Sequence, residues 1–365
     1  MTCAGTRLAG VPAAGDDRRM KPPRPASRPP SRPGSGDLGE QSATDAATAR
    51  LSPARRALAV AASVAVAVLV PLLGTGLVVD ESYEIRLPGD GATALLRAVL
   101  LAALCVHVGE LAGVRLARRV AGASAGLPRS WAVRAAWAGV AAAVGQLLLV
   151  AGSGSPVAGL SGPALVEAYA TRPGLLALLE ANAFLLAALC AASRRPGWAA
   201  VPLAAIVFGE ALRAHPEPYT PEIGTALTLV HLTATTLWTG GLLHVLRTRW
   251  QWRHDAAAGR ELLTRYARPA ALLFAAITAT GVCSTLRRLP LAEVFTSGYG
   301  RVLLAKLVLV LIVSGLALIA RGRLRREAAV PGAATGPARA ELVALAAVVL
   351  VSAVLTAVPL PPAPL

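Results

Sequence analysis

Apolar runs of about twenty residues recur along this chain from Ala54 to its C-terminus, and arginines gather between them. A helix of that length matches the ~30 Å hydrocarbon core of a bilayer. Hydrocarbon offers no hydrogen bonds, so every backbone amide and carbonyl in such a run must be satisfied inside its own helix. Of the 365 residues, 55% are hydrophobic and 15% charged, whereas a soluble domain would carry roughly 25% charge. The expected fold class is all-α, a polytopic transmembrane helical bundle.

About nine spans are predicted, near 55–79, 91–114, 131–152, 173–193, 197–213, 224–247, 266–286, 301–320 and 339–359. Basic loops alternate with acidic or sparsely charged ones. Arg115, Arg118, Arg119 and Arg129 follow the second span, Arg194 and Arg195 the fourth, Arg247 to Arg265 the sixth, and Arg321 to Arg326 the eighth. Asp80 to Glu84, the 152–171 stretch and His215 to Tyr219 fill the loops between. Cytoplasmic loops carry the excess of arginine, which predicts a cytoplasmic N-terminus and a C-terminus outside. Only Arg287 and Arg288 fall on the opposite side. The net charge of +16 is therefore assigned to loops, and no aromatic-interleaved basic groove points to nucleic acid. Residues 1–50, rich in Pro, Arg, Ser and Gly, read as a disordered cytoplasmic tail. N-terminal transmembrane helices occupy 54–213, and a second set occupies 224–360.

Three motifs mark that second set. The first is His231 through Gly241, a histidine, a short apolar stretch, then Trp238-Thr239-Gly240-Gly241. The second is Thr296-Ser297-Gly298-Tyr299-Gly300-Arg301 running into Leu304-Ala305-Lys306-Leu307. The third is Arg339-Ala340-Glu341-Leu342, opening a helix that ends at Pro361-Pro362. In their order and spacing they resemble the copper-resistance D (CopD) family of bacterial inner-membrane proteins, over a little more than a third of the chain. The resemblance implies copper handling in the cell (cytoplasmic) membrane, generally uptake from the periplasmic side. It also implies an extracytoplasmic copper-binding partner of the CopC type.

Ionisable side chains inside membrane helices mark functional sites by default, because burying them costs several kcal/mol without partners. Two layers are expected. Near the outer face lie Glu210, His215, His231 and Cys283; near the inner face lie Cys105, His107, Glu110, Cys190 and His244. His231, Thr235 and Trp238 share one helical face at i, i+4 and i+7, and that half-polar stripe should face the bundle interior. Imidazole suits copper in either oxidation state and thiolate selects Cu(I), so His231, His215, Cys283 and Glu210 form a candidate copper entry site. Alternatively His231 bonds a neighbouring helix and Cys283 is a small core hydrophobe. His107, with Glu110 at i+3 to orient it, and His244 form either an exit station or a structural pair. Arg97, Gln146, Glu180 and Asn182 are read as interhelical polar contacts.

The only methionines are Met1 and Met20, so no thioether ladder crosses the membrane. No Cys-x-x-Cys, phosphate-binding glycine loop or phosphorylatable aspartate motif appears, which argues against an ATP-driven pump. The chain reads as a copper transporter or copper-delivery protein, not an enzyme. The rivals are a b-type haem cytochrome, with His107 and His244 as a ligand pair at similar depth, and a non-transporting copper-assembly factor.

Overall fold

The computed structural model describes residues 89–121, 126–213 and 220–288, with scattered helical positions at 66–70 and 303–315. The tail, His215, the second motif apart from Leu304 and Leu307, the third motif, most of the first and eighth predicted spans and all of the ninth lie outside the described residues. Among the described residues the chain is all-helical. Its helices are α1 (Asp90–Ala117), α2 (Ala132–Ala151), α3 (Gly162–Tyr169), α4 (Arg172–Ala192), α5 (Ala200–Arg213), α6 (Pro221–Gln251) and α7 (Ala256–Arg288). All but α3 and α5 are long and apolar enough to cross a membrane.

The boundaries follow local chemistry. Ser161 caps α3 by accepting from the Ala164 amide, and Thr171 caps α4 by accepting from Gly174. Each is followed by a proline in the first turn, where a missing N–H costs nothing. That Ser-Gly-Pro sequence turns part of the expected 152–171 loop into the short helix α3. Asp255 accepts from the Ala258 amide at 3.0 Å and starts α7 ten residues ahead of the apolar run expected from 266. Hydropathy locates the part of a helix that hydrocarbon can surround, and a capped charged extension escapes it. The predicted span at 197–213 corresponds to a 3₁₀ turn, Pro196–Ala199, followed by the fourteen-residue α5. At 1.5 Å per residue α5 measures about 21 Å, short of a bilayer core.

Helix α1 packs on α2 and α6, α2 on α4, α4 on α5, and α5 returns to α6 and α1, while α7 lies against α6. One core joins Leu100 and Leu104 of α1 to Phe184 of α4 and Leu203, Ile206 and Val207 of α5. The other joins Trp238, Leu242 and Val245 of α6 to Leu262, Leu263, Tyr266 and Ile277 of α7. The Tyr266 hydroxyl donates to the Trp238 carbonyl at 2.6 Å, and the Trp238 ring meets Phe274 edge-on at 5.5 Å.

Small residues decide the closest crossing. Cys105, Gly109 and Gly113 recur at four-residue spacing on α1, and Gly240 stands opposite on α6. A Cβ on Gly240 would collide with the Cys105 carbonyl, and one on Gly109 would collide with the Gly240 backbone. Between membrane helices no water is released on packing, so close backbone approach supplies the attraction. Gly240→Val should therefore lower stability by about 3 kcal/mol or more, from overpacking against immovable backbone. Gly162→Ala, where a Cβ meets nothing, should stay within about 0.5 kcal/mol of wild type. Thermal unfolding of the detergent-purified variants measures both.

Candidate functional site

The bundle has an arginine-rich end, bearing the 118–131, 194–195 and 247–260 segments, and an arginine-poor end. Polar side chains gather at both.

At the arginine-poor end, three helices bring four charges together. Arg97 of α1 pairs with Glu210 of α5 at 2.7 Å, and Arg213 of α5 pairs with Glu180 of α4 at 2.7 Å. Arg213 Nε also lies 3.5 Å from Glu210. Arg97 sits seven residues into α1, about 10 Å along the helix, and Glu180 is fully buried. Two cations and two anions make the group neutral, the condition under which hydrocarbon tolerates charge. Glu210, expected beside His231 in an entry site, is held instead by two guanidinium groups. The expectation of interhelical contacts holds for Arg97 and Glu180. Asn182 differs: its amide donates to Leu178 O of its own helix at 2.9 Å.

His231 lies on α6 facing α7. Its Nδ1 is 3.0 Å from Thr280 Oγ1, while the Thr280 hydroxyl is directed at the Ala276 carbonyl at 2.7 Å. A hydroxyl has one proton to give, so with that proton on Ala276 it must accept from His231. In that arrangement a neutral imidazole would hold its proton on Nδ1 and its lone pair on Nε2. Gly281 leaves space at the ring edge, where a Cβ would stand 3.7 Å from His231 Cε1. The stripe His231–Thr235–Trp238 faces α7 rather than the ring of α1, α2, α4 and α5, since Thr280 and Phe274 meet its two ends. Cys283 is on α7, one turn past Thr280, and exposed. Arg287, anomalous for its charge, donates to the Thr220 hydroxyl just ahead of α6.

At the arginine-rich end, Glu110 of α1 binds Arg247 of α6 and accepts from the Trp131 amide at 3.4 Å. That carboxylate thus serves the open N-terminus of α2, where unsatisfied amides favour an anion. Arg247 further donates to Arg129 O at 2.6 Å and stacks its guanidinium 3.6 Å over the Trp131 ring. The buried His244 places Nδ1 3.7 Å from Glu110, its ring filling the notch above Gly113. Glu110 therefore serves α6 and α2, not its i−3 neighbour His107, which is buried with no hydrogen bond to Nδ1. His107 is two residues from Gly109, about 200° around α1, and Gly109 faces α6. Cys105 is buried at the glycine crossing, and Cys190 is half-buried.

The structure brings His231 to Thr280, Glu210 to Arg97 and Arg213, and His244 to Glu110. Among the described residues no three of His, Cys, Asp and Glu stand together as a set able to hold a metal. Arg213 and Arg247 carry much of this geometry; the sequence reading names Arg247 only as loop charge and does not single out Arg213. Their positions three residues after Glu210 and after His244 were the available signal.

Residues 260–358 match the family model described as Copper resistance protein D. The matched stretch takes in most of α7, including Thr280, and both the Thr296–Leu307 and Arg339–Leu342 motifs; it begins after the His231–Gly241 motif. No curated protein and no solved structure matches the chain.

Breaking one partner of a buried ion pair strands the other charge, at a cost of about 3–5 kcal/mol. Arg97→Leu and Glu210→Leu should each destabilise the protein on that scale. The double variant, again neutral, should recover most of the loss, and a double-variant cycle on thermal unfolding reads the coupling.

Proposed function

We propose that this protein moves or delivers copper across a bacterial cytoplasmic membrane, in the direction of uptake, with His231 as the residue that meets the ion. What supports the reading is one junction: His231 of α6 is bonded to Thr280 of α7, inside the stretch that matches Copper resistance protein D. Copper is cargo here, and no reaction is catalysed. Thr280 acts as a positioning residue. By accepting from Nδ1 it directs the imidazole lone pair through Nε2, the arrangement in which a hydrogen-bond partner fixes the ligating tautomer. Cys283 is near enough in sequence, one turn along α7, to offer a soft donor for Cu(I), and His215 and Glu210 complete the proposed donor set. His107 and His244 stand at the far end of the path. An extracytoplasmic copper-binding protein of the CopC type is the proposed donor.

The test is metal analysis and an absorption spectrum on detergent-purified protein, with copper uptake into vesicles. Wild type should retain copper near one equivalent with no Soret band, and His231→Ala should lose it. Thr280→Val should weaken copper binding by about 10- to 100-fold, the usual effect of removing a ligand's hydrogen-bond partner. A Soret band, or copper retained unchanged in His231→Ala, would overturn the reading.

A further inference from the structure

The arginine-rich end carries a feature that copper handling does not use. A cleft of about 870 Å³ opens between the end of α1 and the first turns of α7. Arg119, Arg260, Arg265 and Arg268 line it, with Asp255 and Glu261 as its acids. Both acids are engaged. Asp255 accepts from the Ala258 amide as the cap of α7, and Glu261 takes two hydrogen bonds from Arg265, at 2.8 and 2.6 Å. Arg119, Arg260 and Arg268 are exposed and have no ion pair among the described residues. Four guanidinium groups and two carboxylates thus line one cleft, which leaves it with a surplus of two positive charges.

The surface that continues from the cleft is of the opposite kind. Arg260, Thr264, Arg268 and Leu272 follow at four-residue spacing on α7, one stripe of the helix. Leu272 is 75% exposed, and Leu116 lines the apolar side of the cleft. Over about 18 Å of helix, guanidinium groups therefore give way to bare hydrocarbon surface. Guanidinium forks match phosphate oxygens in pairs, and basic pockets at the ends of membrane helices suit anionic headgroups. A phosphate alone would satisfy the arginines and leave the apolar continuation without a partner.

We propose that this cleft binds the phosphate of an anionic phospholipid, with Arg119, Arg260 and Arg268 on the headgroup and the acyl chains along α7 at Leu272. The test uses the full-length protein in detergent, titrated with phosphatidylglycerol, with phosphatidylcholine, and with inorganic phosphate, following the unfolding temperature and lipid retention by native mass spectrometry. Phosphatidylglycerol should raise the unfolding temperature and remain bound, while the other two should do neither. At about 1 kcal/mol per arginine near an anionic surface, each Arg→Gln change should weaken binding roughly fivefold, and Arg119→Gln/Arg260→Gln/Arg268→Gln together about a hundredfold. These side chains are exposed, so the triple variant should keep the unfolding temperature of the lipid-free wild type. Arg118→Gln, at the same end but outside the cleft, should bind as wild type. An equal shift with inorganic phosphate, lost in the triple variant, would overturn the lipid assignment in favour of a free phosphate site. No phosphatidylglycerol effect, or one unchanged in the triple variant, would overturn the site.

Discussion

The approach of α1 and α6 to backbone contact, at Gly109 and Gly240, is the constraint on which the rest of this bundle depends. Side chains on most helices keep axes 8–10 Å apart; glycine on both sides removes that spacer. Glu110, one residue past Gly109, can then reach Arg247, seven past Gly240. The same pair of residues gathers Trp131 and Arg129 from the connection to α2. A contact between two helices without side chains thereby becomes the anchor of a third helix.

Charge is the second organising term. Where a soluble protein can leave a glutamate to water, a bilayer demands a partner, and this structure supplies partners from distant helices. Arg97 and Glu210 are 113 residues apart, and Arg247 and Glu110 are 137 apart. Both assemblies are close to neutral, and each ties helices that hydrophobic contact alone would leave free to slide. His231 differs in kind: its Nδ1 meets the Thr280 hydroxyl of α7. Its partner lies in the stretch that matches Copper resistance protein D, which joins the chemistry of α6 to the recognisable part of the chain.

The helices were legible because a bilayer imposes their length. Five predicted spans coincide with described helices long and apolar enough to cross a membrane, while the predicted span at 197–213 corresponds to the shorter α5. Asp255 launched α7 ten residues early, and Ser161 with Pro163 folded a short helix inside an expected loop. The position of each polar group along its helix was also legible, since rise along a helix is arithmetic at 1.5 Å per residue. The pairings were not. The sequence displays Glu110 beside His107 at i, i+3, but it gives no sign that Glu110 binds Arg247 of another helix and the Trp131 amide. Thr280 gave no signal at all, being one threonine among several on α7.

By itself, then, the sequence determined that the chain carries helices long and apolar enough to cross a membrane, where along each helix its ionisable groups fall, and that residues 260–358 match the family model described as Copper resistance protein D. Those properties follow from composition, periodicity and local motif, which act over a few turns of one helix. The tertiary structure alone decided which groups meet. It turned the His231 stripe toward α7, gave Glu210 to two arginines, and set Arg119 beside α7's arginines over one cleft. The rotation of each helix about its axis is fixed by packing against neighbours, here at glycines whose lack of a side chain acquires meaning only when the opposing backbone is in place.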